Sequence, residues 1–220
     1  MSGRFERSLP LAGVVFAVLL AIALYLTETE PGDAASVEEV FSYWSAHGGG
    51  KMWLSILGLE LAAVLLVSFG VALRTAIRSR EDSAAVHSSL ILGGAILAAM
   101  GFAVTSMVVA ATARAASENG DEPGVRTAVF ALEQLRAWDW LMWTPGLTVM
   151  LVAAGLGGLR TGALPRALAW SAIVLGVAYF TPLGFFAFVA LPLWMAAAGV
   201  ALFRQQRPAA AGPVAIASRS

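Results

Sequence analysis

The chain contains no cysteine, which excludes disulfides, thiolate nucleophiles, Cys-bound zinc and iron–sulfur clusters. Histidine is nearly absent as well, with only His47 and His87. Lysine occurs once, at Lys51, and every other basic residue is Arg. Charged residues make up 13% of the chain against 59% hydrophobic, with a mean hydropathy of +0.77. A soluble domain of 220 residues needs far more charge to cover its surface, so the sequence reads as an all-α, polytopic membrane protein.

Six apolar segments are long enough, or nearly so, to span at roughly 17–25 residues each. They run about 9–26, 52–73, 88–113, 141–159, 164–181 and 184–203. The last two are separated only by Thr181-Pro182-Leu183, a tight hairpin whose Pro is placed to begin a helix. The first segment has an alternative reading as a secretory signal behind Arg4 and Arg7. Its apolar core is long, which favours a span. With the N-terminus in the cytoplasm, ten Arg residues fall on the inner side. Only Lys51, Arg114, Arg126 and Arg136 fall outside. That bias sets both termini as cytoplasmic. The expected domain is a single six-helix unit over 1–207, followed by a disordered cytoplasmic tail over 208–220.

The two long outer loops each carry an amphipathic pattern. In the first, Ser36 is an expected N-cap with Glu39 three residues on. Val37, Val40, Phe41 and Trp44 then fall on one helical face, and Gly48, Gly49 and Gly50 stop the helix. In the second, a helix from about Gly124 to Trp138 places Val125, Val129, Leu132 and Arg136 on one side. Both are expected to lie on the outer surface, capping the bundle or forming a lid. Trp44, Trp53, Trp138, Trp140 and Trp143 read as an aromatic belt at the membrane interface. Leu73-Arg74-Thr75 and Leu159-Arg160-Thr161 echo one another where the second and fourth segments exit. A three-residue match at a basic exit arises readily by chance.

The inner loop LRTGALPRALAW (159–170) and the stretch FSYWSAHGGGKMW (41–53), on a six-span layout, carry a resemblance. Together they resemble bacterial, especially actinobacterial, membrane proteins classed as a domain of unknown function. The likeness covers nearly the whole chain through loose motifs. It implies a six-helix fold in a bacterial plasma membrane, and no reaction, cofactor or site residue.

Several chemistries are excluded by position. His47 and His87 fall on opposite sides of the expected bilayer, so no two-His metal site, bis-His haem or intramembrane Ser–His pair forms within one chain. Glu38-Glu39 has no histidine at membrane depth to work with. No Gly-rich phosphate loop follows a strand, so no nucleotide site is expected. The basic patches hug the membrane and suit anionic lipids, not nucleic acid. No catalytic constellation, metal or cofactor is expected.

What remains is Glu60, alone in the run WLSILGLELAAVLLVSFG. Eight residues past Met52, it sits about 12 Å along the helix at ~1.5 Å per residue. An acid at the centre of a span costs on the order of 3 kcal/mol, less near an interface. Counting depth from the same side brings Thr105, Ser106 and Thr148 to its level. Pro192 arrives there too, with the carbonyl of Phe188 that its ring leaves unpartnered. Hydroxyls and free carbonyls at one depth are how helix bundles build ligand or ion sites. The opposing reading is that Glu60 is structural, hydrogen-bonded to neighbouring helices. The expected function is that of a non-enzymatic, multi-pass plasma-membrane component that binds lipid or a small ligand around Glu60. A protein partner or a second copy of the chain is a further expectation. The alternative is a small proton-coupled secondary transporter using Glu60.

Overall fold

The computed structural model describes residues 8–26, 32, 35–47, 49–80, 85–118, 122 and 124–206. Among these, every regular element is a helix. After a 3-10 turn at Leu9–Leu11 come α1 (Ala12–Leu26), α2 (Val37–His47), α3 (Gly50–Arg78) and α4 (Ala85–Glu118). They are followed by α5 (Val125–Arg136), α6 (Trp140–Thr161), α7 (Arg166–Ala178) and α8 (Gly184–Gln205). Four helical segments are long and apolar enough to cross a membrane: α3, α4, α8 and the stretch Val125–Thr161 that ends in α6. α1 and α7 are shorter apolar helices. The expected tail over 208–220 lies outside the described residues, as do Arg4, Arg7 and Gly48.

The six apolar helices form a closed ring in chain order. α1 packs on α3, α3 on α4, α4 on α6, α6 on α7, α7 on α8, and α8 returns to α1. α3 also reaches across to α6 and α8, so the ring is filled. Leu66, Phe69 and Leu73 of α3 share one continuous core with Leu147 and Met150 of α6 and Leu191 and Met195 of α8. Phe69 meets Trp194 edge-on at 6.1 Å, and the Trp194 indole donates to the Leu168 carbonyl of α7 at 2.9 Å.

The tightest seam joins α4 to α6. A Cβ on Gly94 would stand 2.5 Å from the Met150 nitrogen, and one on Gly101 would stand 2.6 Å from the Met142 carbonyl carbon. Small residues let two backbones touch, which is how helices associate where no hydrophobic effect separates helix from lipid.

The two ends of the ring differ. At one end, α4 outruns the rest: its 34 residues extend about 51 Å, well beyond the ~30 Å of a hydrocarbon core. α2 and α5 dock on this overhang and on each other. Val40 and Trp44 of α2, Ala113 and Ala116 of α4 and Val129 of α5 make a small separate core. The cap is held by a polar clasp. The Trp44 indole donates to Glu133 Oε2 at 3.0 Å, and Arg136 donates to the same carboxylate twice, at 2.9 and 2.6 Å. Glu133 and Arg136 side chains are only 8% and 15% exposed, so the pair is desolvated. At the other end, Arg80 donates to the Gly162 carbonyl and to the Gln205 side chain, both at 2.8 Å. Gly162 ends α6 in the left-handed conformation that favours glycine (φ +65°), and its amide closes onto the Gly158 carbonyl.

Several expectations are corrected. Trp44 and Trp143 are buried in packing and do not stand in a belt, while Trp53, Trp138 and Trp140 are exposed. Gly50 does not stop α2; it is the first residue of α3, with Gly49 as its N-cap. α5 ends at Arg136, two residues earlier than expected, and α7 ends at Ala178, three residues early. At that turn the Thr181 hydroxyl donates to the Ala178 carbonyl and accepts from the Leu183 amide.

The expected cap of α2 is present. Glu39 accepts from the Ser36 amide at 2.7 Å and its hydroxyl at 2.9 Å, and the Glu39 amide donates back to Ser36 Oγ at 3.3 Å. The Ser36 amide, then its hydroxyl, hold the Glu39 carboxyl below its ordinary 4.5. A depressed carboxylate stabilises the fold above its unfolded pKa and loses that contribution as pH falls through the folded one. The protection factor at the start of α2, taken against the free-chain exchange rate at each pH, is therefore expected to fall as pH drops below about 4.5. Glu39→Gln is expected to exchange faster at neutral pH and to lose that acid step. An unchanged acid step in the variant would assign it to another carboxylate.

Candidate functional site

The residues expected to gather around Glu60 divide between two places. Gly70 of α3 abuts Ala95 of α4, and extending that antiparallel register brings Glu60 level with Thr105. Glu60 is half-buried, and no hydrogen bond or ion pair joins it to any described residue. Thr105 is buried, and its hydroxyl also lacks a partner. Ser106, by contrast, turns back to the Phe102 carbonyl of its own helix at 3.0 Å. Thr148 points away from α4 altogether, donating to the Gly176 carbonyl of α7 at 2.9 Å. Phe188 and Pro192 lie on α8, which packs on α7 and α1 and does not adjoin α4 in the ring. Glu60 and Thr105 thus share a level on neighbouring helices, and the other four residues are bonded or placed elsewhere.

Phe188 leads to a different site. Trp143 of α6 stacks on Phe102 of α4 at 5.5 Å, meets Phe188 of α8 at 5.0 Å and takes the Tyr179 ring edge-on at 5.9 Å. Trp143, Tyr179 and Phe188 of this cluster line a cavity of about 560 Å³ at the cap end of the ring. Trp140, Leu141 and Thr144 continue its α6 wall. The turn from Tyr179 to Pro182 and the start of α8, Gly184 and Phe185, close the other side.

The opening follows from helix lengths. α7 has 13 residues and rises about 20 Å, whereas the 22 residues of α6 rise about 33 Å. With Thr148 opposite Gly176, the turn after α7 comes level with Trp143 and Thr144, a helical turn below the end of α6. The space above it is left to the aromatic side chains. Phe180, Leu183, Phe185 and Phe186 are exposed around the mouth.

The lining carries no charged residue. Its polarity is confined to a few neutral groups. Thr144 is 1% exposed and its hydroxyl has no hydrogen-bond partner. Pro145 follows it inside α6, so the Leu141 carbonyl has no i+4 amide to accept from. Pro192 leaves the Phe188 carbonyl in the same condition in α8. The Tyr179 hydroxyl makes only a long contact, 3.5 Å, to the Ala187 carbonyl. A buried hydroxyl without a partner costs about 1–3 kcal/mol, which a ligand can recover. No group here is placed for acid–base or nucleophilic chemistry, whereas binding an apolar molecule fits every wall.

Sequence reasoning singles out Phe188 and Pro192 but groups them with Glu60, and it passes over Thr144, Leu141 and Tyr179. A usable signal was the second interior proline, Pro145, in the fourth apolar run directly after a threonine. By sequence Glu133 reads as one more acid of the second outer loop. Its place four residues after Val129 and three before Arg136 put it in the apolar stripe of α5, which was the sign that it is buried.

Comparison with known proteins finds no matching family model, no matching curated protein and no matching solved structure. The resemblance carried by LRTGALPRALAW and FSYWSAHGGGKMW therefore supplies no residue to this site.

Proposed function

We propose that this chain is a non-enzymatic, multi-pass membrane protein that binds a lipid or another apolar small molecule in the aromatic pocket. In this reading all six ring helices cross a bacterial plasma membrane, with both termini cytoplasmic and the cap outside. The short α7 then places the pocket mouth within reach of the lipid. Membrane lipids are the ligand source, and a protein partner or a second copy would receive or present the ligand. The observation that carries the reading is the uncharged, aromatic cavity with the unsatisfied Thr144 hydroxyl buried in its wall.

The absence of cysteine makes the test clean: Leu183→Cys, at a residue 58% exposed beside the mouth, accepts a single environment-sensitive fluorophore. In lipid nanodiscs, titration with para-octylphenyl probes is expected to give a saturable change. Leu141→Trp, which adds bulk from a half-exposed wall position, is expected to weaken it about tenfold or more, the scale of one lost apolar contact. A signal that never saturates, or that ignores Leu141→Trp, would overturn the pocket reading.

The second reading, a proton-coupled carrier, is favoured by Glu60 having no partner among the described residues and by the unpaired Thr105 hydroxyl at its level. An unpartnered acid within a span works against stability. Glu60→Gln is therefore expected to leave the melting temperature in detergent equal or higher. A marked drop would show that Glu60 is an ionised, paired structural group. Proton flux into vesicles that disappears in Glu60→Gln would favour the carrier, and the absence of flux in the unaltered chain would remove it.

A further inference from the structure

We infer that the ligand of the aromatic pocket is a neutral alcohol or phenol on an apolar body, recognised through its O–H group. This rests on the pocket reading above and names the chemistry of what the pocket takes. Three features carry it. The lining has no ionisable acid or base other than the Tyr179 phenol, so a charged head group would be desolvated without compensation. Among the lining residues, Leu141 and Phe188 each carry a carbonyl released from helical bonding by a proline four residues on, and a carbonyl can only accept. Thr144 adds a buried, unpartnered hydroxyl that can both donate and accept.

An O–H ligand matches this set in both directions: it donates to a released carbonyl and accepts from Thr144. Ethers, esters and ketones only accept, and would leave the carbonyls as they are. A hydrocarbon would satisfy neither. A carboxylate would bring a charge with no cation to meet it. The aromatic walls around Trp143 favour a flat ring or an unsaturated chain as the apolar body. Sites that hydrogen-bond a ligand hydroxyl discriminate against analogues lacking it, because buried polar groups are then left unpaired.

The test uses the Leu183→Cys reporter in nanodiscs with three matched probes: para-octylphenol, its methyl ether and para-octylbenzoate. The phenol is expected to bind about fivefold or more tightly than the ether, the worth of one neutral hydrogen bond. In Thr144→Val, which keeps the shape and removes the hydroxyl, phenol and ether are both expected to bind about fivefold more weakly, since each accepts from Thr144, while the phenol keeps its preference through the released carbonyls. If the variant fails to fold, ether binding is lost with it, and the phenol-to-ether ratio of the unaltered chain decides. Equal phenol and ether affinities there, or tighter benzoate binding, overturn the alcohol assignment while leaving an apolar pocket in place. Phenol affinity that is unchanged in Thr144→Val also overturns it, since the ligand hydroxyl would then be read elsewhere. If no probe saturates, the pocket reading itself is wrong.

Discussion

A single methyl group added at Gly146 is expected to cost about 3 kcal/mol of stability, the upper end of what overpacking usually costs. The Cβ would meet the Ala98 amide nitrogen, and would stand 2.7 Å from both the Ala98 Cα and the Gly94 carbonyl oxygen. All three are backbone atoms on α4, so no side chain can rotate out of the way. Relief requires α4 and α6 to part, which breaks the seam along Gly94, Ala98 and Gly101 together. The control is Gly93→Ala, whose added Cβ meets nothing within 4 Å. There the better helix propensity of Ala should leave stability unchanged or raise it by up to ~1 kcal/mol. Thermal unfolding in one detergent compares the two directly. If Gly146→Ala proves as benign as Gly93→Ala, the two helices do not touch backbone to backbone.

Removing the Glu133 carboxylate is the second large effect. Glu133→Ala takes both close contacts from Arg136 and the acceptor from the Trp44 indole, within a desolvated clasp. Breaking a buried pair by deleting one partner costs about 3–5 kcal/mol, because the surviving charge stays in a poor environment. The loss should be local. The cap has its own small core, so α2 and α5 are expected to lose hydrogen-exchange protection while the ring helices keep theirs. Glu133→Leu combined with Arg136→Met should be milder than Glu133→Ala, since no charge is left stranded. Uniform loss of protection throughout the chain would show that cap and ring unfold as one unit.

The helices themselves were largely legible, because apolar length and sign of charge are local signals. Each of the six apolar runs became a helix, and the Ser36–Glu39 box announced α2 from three residues. The neighbours of each helix were not legible. Trp143 reads from sequence as an interfacial aromatic, yet α4, α7 and α8 surround it, with ring partners up to 45 positions away. Depth counting from the sequence put Thr148 level with Glu60, yet Gly146 lies against Ala98 and Gly70 against Ala95, a register that sets Thr148 nearer the level of Phe69, and Thr148 faces α7. Glu133 was missed because its indole partner lies 89 positions earlier. The pocket arises from a difference in length between α6 and α7, and such a difference has meaning only once the two are known to pack together.

The order of the ring also bears on biosynthesis. Each apolar helix emerging from the ribosome finds its first partner already in place, since neighbours in space are neighbours in chain order among the apolar helices. Contacts between nearby segments form quickly and carry little loop-closure cost. The joint that closes the ring waits for α8, which meets α1 and the Leu9–Leu11 turn. Until then Phe16 and Phe69 lack the cover of Trp194 and Met195, which share their core in the finished ring. A nascent chain stalled before α8 is thus an open arc with an apolar inner edge, the form in which a quality-control protease or a lateral chaperone would meet it.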